Sequence, residues 1–284
     1  MEYKVKITVD SNSDLGTALL ERFNIDDAGV TVDVAGHNYL DRLEINSAKM
    51  FELVEKTGCY PTTAAPSVGT YMELFEKWTS LGYEIIHFNI SSKLSAGHQN
   101  ALIAAQDYPN VHCVDGGHLS TGYGQMAILA AEMAAEGKTA EEILEQIAPM
   151  PELVSTSFIL DKLEYMAKGG RCSAVAAFGA NLLKLKPCLA IRDGKLEIIS
   201  KYRGSLKDVL LKYTRDRLQE AGKVDTHRAF ITHTVEDPAL VEAVRQEMLT
   251  YAPFEEIVVN DAGPGVTAHC GQNCLGIMFM KAAE

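Results

Sequence analysis

Short β-branched or aromatic runs alternate with longer stretches of helical periodicity through the first half of the chain. Few architectures accept that order other than a largely parallel sheet with helices on its faces. Residues 5–9 form the first predicted strand, closed by the polar turn Asp10-Ser11-Asn12-Ser13-Asp14 and followed by a short helix over 16–23. Asn46 or Ser47 can cap a helix through Glu55 that Gly58 stops, and Ser67 can cap a helix over Tyr71, Leu74, Phe75 and Trp78, ended by Gly82. A strand at 84–90, a helix at 94–106, a strand at 111–115, an alanine-rich helix at 122–135 and a helix at 139–147 continue the series. Pro149-Met150-Pro151 then disfavours helix continuation and reads as a linker. It sets the expected division: an α/β unit over residues 1–150 and an α+β unit with a mixed or antiparallel sheet over 151–284. In the second unit, strands near 153–158, 229–233, 257–260 and 275–280 accompany helices ending at Ala167 and spanning 175–183, 206–221 and 238–249. Arg192-Asp193-Gly194-Lys195 joins two further strands by a strong hairpin signal.

The chain has 284 residues, 47% of them hydrophobic and 23% charged, which fits two packed units and excludes general disorder. Its net charge of −12 argues against a surface-wide grip on nucleic acid or anionic membrane. The charge is uneven: between Arg171 and Arg228 there are thirteen basic and six acidic residues, a surplus of seven positive charges. No stretch reaches about 18 uninterrupted apolar residues, and the N-terminal apolar run is too interrupted for a signal peptide, so a cytoplasmic protein is expected. Six scattered cysteines do not form a secreted disulfide framework, and reduced, mostly buried thiols are expected.

Four segments could carry chemistry. Ile90-Ser91-Ser92-Lys93-Leu94-Ser95-Ala96-Gly97 joins a strand to a helix, where unpaired N–H groups and hydroxyls suit a phosphate or carboxylate, although Ser91, Ser92 or Ser95 can equally cap the helix. Pro61-Thr62-Thr63-Ala64-Ala65-Pro66-Ser67 is read as an extended loop that either presents Thr62 and Thr63 to the same ligand or is only a rigid connection. Arg171, after Gly169-Gly170, and Arg203, at a strand-to-helix junction, are either oxyanion contacts or solvated charges. The glycine-rich tail turn carries His269, Cys270 and Cys274. With His112, Cys113 and His118 these make four metal ligands on paper, but no Cys-x-x-Cys pair exists, so no metal is expected. There is no Gly-x-Ser-x-Gly elbow, Walker loop or Gly-x-Gly-x-x-Gly after the first strand, and helix packing explains Gly122-Tyr123-Gly124 as well as a nucleotide does. Hydroxyls, a histidine and arginines without a general base suit a holder of an anion. The competing enzyme reading is a hydrolase or phosphotransferase using Ser91/Ser92 with His269.

Taken in order, the segments resemble the DegV family, fatty-acid-binding proteins that act as the lipid-carrying subunit of bacterial fatty acid kinase. The resemblance runs nearly end to end: Asp10-Ser11 with Asp14-Leu15, the Thr loop, Ser91-Ser92-Lys93-Leu94-Ser95, Asp115 with Ser120, Gly122 and Gly124, Leu163-Glu164-Tyr165 through Arg171, Leu185-Lys186-Pro187, Arg203-Gly204 and the His269 turn. It implies a two-domain fold with a long-chain fatty acid in an interdomain tunnel, the carboxylate held by Thr63, Ser92 and His269, and Arg171 and Arg203 near the opening. It also implies a non-catalytic subunit without a cofactor. Its partner would be a separate ATP-dependent, dihydroxyacetone-kinase-like subunit that makes an acyl phosphate for phospholipid synthesis. The chain departs from the family pattern at Ala64-Ala65, Ala96-Gly97 and Gln272-Asn273, near the lining rather than at the anchors.

Overall fold

The computed structural model describes residues 4–172 and 185–282; the helix expected over 175–183 lies outside them. Its first sheet is wholly parallel, in the order β2-β1-β6-β7, with β1 at Lys4–Asp10, β2 at Asp26–Ala28, β6 at Tyr83–Asn89 and β7 at Val111–Asp115. Helices alternate with these strands as the apolar periodicity requires. Asn46 and Ser67 accept backbone N–H bonds as the caps of helices Ser47–Thr57 and Val68–Thr79, and Gly58 ends the first of these in the left-handed conformation.

The second sheet is mixed, in the order β10-β9-β8-β13-β11-β12. It comprises β8 (Val154–Ile159), β9 (Lys186–Arg192), β10 (Lys195–Tyr202), β11 (Val224–His233), β12 (Glu256–Asp261) and β13 (Leu275–Lys281). Only β11 and β12 pair in parallel. Asp193 and Gly194 both take positive φ, as a two-residue type I′ hairpin requires.

Four expectations change. The Thr loop is an edge strand, β5 (Thr62–Ala64), in a third sheet with β3 (Thr31–Val34) and β4 (His37–Leu40); strands this short and polar leave no apolar run to read. Helix Ala140–Ile147 ends before Pro149-Met150-Pro151, as expected, but the segment carries a helical turn of its own, Met150–Leu153, because proline tolerates the first helical positions. The helix after the Ser-Ser turn starts at Gly97, not at residue 94. His269 lies in the last turn of a helix, Pro264–Cys270, rather than in a loop, since Gly263 and Pro264 make a serviceable start despite the glycine content.

Helix Thr121–Ala135 packs on β1 and β6 on one side and on β8 and β13 on the other, which is why it is apolar nearly all round. Gly122 and Gly124 make that approach possible: a Cβ on the first would sit 2.1 Å from Thr156 Oγ1, and on the second 2.8 Å from the Ser13 carbonyl. One buried apolar cluster therefore runs from Ile7, Val9 and Phe88 through Met126 and Ile128 to Phe158, Phe230 and Met278.

Candidate functional site

A cavity of about 190 Å³ opens between the carboxyl end of the parallel sheet and the mixed sheet. Its walls are mostly apolar, from Val30, Ile90, Leu94, Leu119, Phe158 and Met278 among others. Thr63, Ser95, Arg171 and His269 all line it although they lie far apart in sequence, with His269 bonded to Thr63 and within the field of Arg171. No Asp or Glu is among the lining residues described, so the charge offered to a ligand is that of a guanidinium alone.

Each polar group is placed by its element. Thr63 pairs with Val32 across β3 and β5, and strand alternation turns Thr63 inward while Thr62 is exposed on the other face. Helix Pro264–Cys270 is fixed at its start by Asp14, whose carboxylate accepts the Gly263 N–H at 2.7 Å, and by Ser47, whose hydroxyl donates to the Ala262 carbonyl at 2.7 Å. Its end is closed by Thr234, which donates to the Gly271 carbonyl at 2.8 Å and accepts the Cys274 N–H at 2.9 Å. Behind it, Tyr165 packs edge-on against both Phe51 and Tyr60. The imidazole of His269 is thereby held with Nε2 2.9 Å from Thr63 Oγ1.

Burial, with the positive charge of Arg171 adding to it, lowers the His269 pKa to about 4, so the ring is neutral at pH 7. Its Nδ1 is buried without a partner among the described residues, against Gly169, where a Cβ would lie 2.2 Å away. A buried N–H without an acceptor is the costlier orphan, which assigns the proton to Nε2 and makes Nδ1 the bare acceptor. Nε2–H then donates to Thr63, and the Thr63 hydroxyl hydrogen is left for a ligand oxygen. Ser95 accepts the Gly97 N–H at 3.2 Å, and its own hydroxyl hydrogen is likewise uncommitted. Arg171 is exposed at the cavity, one nitrogen donating to the Gly169 carbonyl at 2.6 Å.

The remaining sequence candidates fall elsewhere. Ser91 is buried and donates to the Gly194 carbonyl at 2.8 Å, clasping the β9–β10 hairpin, while Ser92 is exposed with its backbone N–H on Asp115. Gly97 is buried beside the Tyr71 hydroxyl, and Arg203 is exposed; neither lines the cavity. The later helix start explains the change: Ser91 to Leu94 form a turn, so it is Ser95, not Ser92, that reaches the chamber. Neither Ser91 nor Ser92 is bonded to His269, so the geometry assembles no serine–histidine pair there. Among the described residues no group of three His, Cys, Asp or Glu could hold a metal ion. His112 instead contacts Glu84, and His118 donates to the Pro151 carbonyl. Sequence reasoning missed Asn12, Ser120 and Thr232, which also line the cavity.

Fold and site together define an α/β protein with a largely apolar, partly open chamber lined by neutral donors and one guanidinium. The chain belongs to the DegV family, whose model, described as an uncharacterised protein, matches residues 4–282. A DegV domain-containing protein of Clostridium acetobutylicum is 28% identical over 282 residues, 98% of this chain and 99% of its own. Among solved structures, a DegV family protein from Thermus thermophilus, described by its fatty acid binding, is 30% identical with a TM-score of 0.88, covering 99% of this chain and 100% of its own. A DegV lipid binding protein from Thermotoga maritima is 25% identical with a TM-score of 0.87 over the same shares. The Streptococcus pneumoniae Fatty Acid Kinase (Fak) B3 protein, solved loaded with linoleic acid, shares the fold at 20% identity and a TM-score of 0.85, over 98% of this chain and 100% of its own.

Proposed function

We propose that this chain binds a long-chain fatty acid in the cavity, its carboxylate at Thr63 and Ser95 beside His269 and Arg171 and its acyl chain among the apolar walls. The observation that carries the reading is the neutral, half-buried His269–Thr63 pair in a chamber with no acidic residue among the described lining. A carboxylate leaving water requires several donors, and hydroxyls relayed from a neutral imidazole, with a guanidinium at the rim, supply them. An amine or a neutral sterol would leave Arg171 uncompensated. The fatty-acid-binding relative from Thermus thermophilus, 30% identical over nearly the whole chain, supports the same ligand class.

The reading extends to a non-catalytic carrier that presents the carboxylate to a separate ATP-dependent, dihydroxyacetone-kinase-like kinase in the cytoplasm, for acyl-phosphate formation in phospholipid synthesis. Arg203 and the exposed lysines Lys207 and Lys212 then belong to the docking face, with Arg171 at the cavity rim. In this account a division near residue 150 separates two units with the ligand between them. Native mass spectrometry with solvent extraction tests the binding step: the expected result is one fatty acid per chain. Absence of a lipid adduct, both as purified and after titration with palmitate, overturns it.

A further inference from the structure

One polar side chain in the chamber has no work within the protein. Asn12 is only 7% exposed and lines the cavity, yet its carboxamide makes no hydrogen bond to any described residue; the bond Asn12 does make is through its backbone N–H, to Asp10. Its polar neighbours in the lining are committed: Ser120 donates to Asp14 at 2.6 Å, and Thr232 bonds Thr121 and Asn260. The residue is also rigidly presented. It sits in the one-turn helix Ser11–Ser13, capped by Asp10. Its Oδ1 lies against Gly265, where a Cβ would be 2.7 Å away. Gly265 and His269 stand four residues apart on one face of this helix, a rise of about 6 Å, so Asn12 and His269 meet the same helix about one turn apart.

We infer that Asn12 is a second recognition point, which selects an acyl chain carrying a hydroxyl or oxo oxygen within a few carbons of the carboxylate. This rests on the fatty-acid reading above and adds the substrate class. A plain methylene chain laid over Asn12 strips a carboxamide of water and returns nothing. An oxygen substituent pairs with it and recovers its own lost hydration in the same contact. Sites of this kind discriminate chiefly by penalising the ligand that lacks the oxygen.

The test is competition for a fluorescent polyene fatty acid bound to the delipidated protein, with palmitate and its 3-, 5- and 16-hydroxy derivatives as competitors. The expected result is that 3- or 5-hydroxypalmitate displaces the probe at a concentration at least about fivefold below that of palmitate, the worth of one neutral hydrogen bond. In Asn12→Leu, which keeps the volume and removes the polar group, that preference disappears and palmitate binds as well as or better than before. If palmitate and the 3- and 5-hydroxy acids compete equally in the native protein, or the 16-hydroxy acid alone gains, the inference is overturned while fatty acid binding stands. A preference that survives Asn12→Leu overturns it too. If neither the polyene acid nor palmitate binds the delipidated protein at all, the fatty-acid reading itself has failed. The native-protein series stands alone should the variant fold poorly.

Discussion

His269 is neutral because burial costs the imidazolium more than the imidazole, and an anion placed beside it reverses part of that cost. Two outcomes follow from its value of about 4, set against an ordinary 6.5. In the ligand-free protein, the stability it contributes is fully present above pH 6.5 and is lost as pH falls through 4. The stability difference between the wild type and His269→Gln should therefore be flat above pH 6.5 and change in the wild type's disfavour below it, by up to one proton's slope in pH-dependent urea melts. Binding a carboxylate should raise the pKa, so fatty acid titrated near pH 5.5 should take up a fraction of a proton in calorimetry across buffers; no uptake at all would mean that the carboxylate is not at His269. At Thr63, replacement by Val removes the relayed donor while keeping shape, and should weaken binding by about 1–3 kcal/mol in equilibrium titration. Thr63 and His269 are singled out only by the resemblance to the family, and they meet in one cavity. Ser92 and Ser95 are both candidates from the sequence, and which hydroxyl faces the chamber depends on a helix start three residues later than the periodicity implies. Asn12 gave no signal, since an asparagine after Asp10-Ser11 reads as turn chemistry.

The legible elements are those whose apolar pattern is long. Strands β1, β6 and β7 carry their β-branched and aromatic residues in buried or half-buried runs, and the caps at Asn46 and Ser67 hold as read. Strands β2 to β5 have three or four residues each, most of them polar, so tertiary pairing, not propensity, makes them strands. The hairpin was readable from Asp193-Gly194, but its clasp was not: Ser91 holds the Gly194 carbonyl, and Lys93 Nζ donates to the Asp193 carbonyl at 2.6 Å. Gly194→Val places a Cβ 2.7 Å from Ser91 Oγ in a backbone with φ of +73°. It should destabilise the protein by about 1–3 kcal/mol in chemical denaturation, more than Ser91→Ala does. Equal effects of the two would show that the turn, rather than its fit on the Ser-Ser segment, carries no special load.

At the scale of the molecule, helix Thr121–Ala135 is shared between the parallel and the mixed sheet, and the chamber lies beside that shared core. The halves should consequently unfold together. Gly122→Ala, which drives a methyl into Thr156, should lower the midpoint of a single cooperative transition rather than split it in two, as read by fluorescence and circular dichroism in parallel. The order of the elements made the α/β class readable, while the shared helix depends on contacts that periodicity does not encode. The charge surplus between Arg171 and Arg228 spreads over the β9–β10 edge and helix Leu206–Ala221, including exposed Lys207 and Lys212. If this face meets a kinase, Lys207→Glu should slow association and flatten its salt dependence without altering lipid affinity.

The central claim is that a carboxylate, and not merely an apolar chain, is recognised beside the His269–Thr63 pair. Equilibrium titration of the delipidated protein with palmitate and with its methyl ester measures that directly. The account predicts that the acid binds at least about tenfold more tightly, the worth of a charge-assisted hydrogen bond, and that His269→Ala removes most of the difference. Equal affinity for acid and ester in the wild type would contradict it.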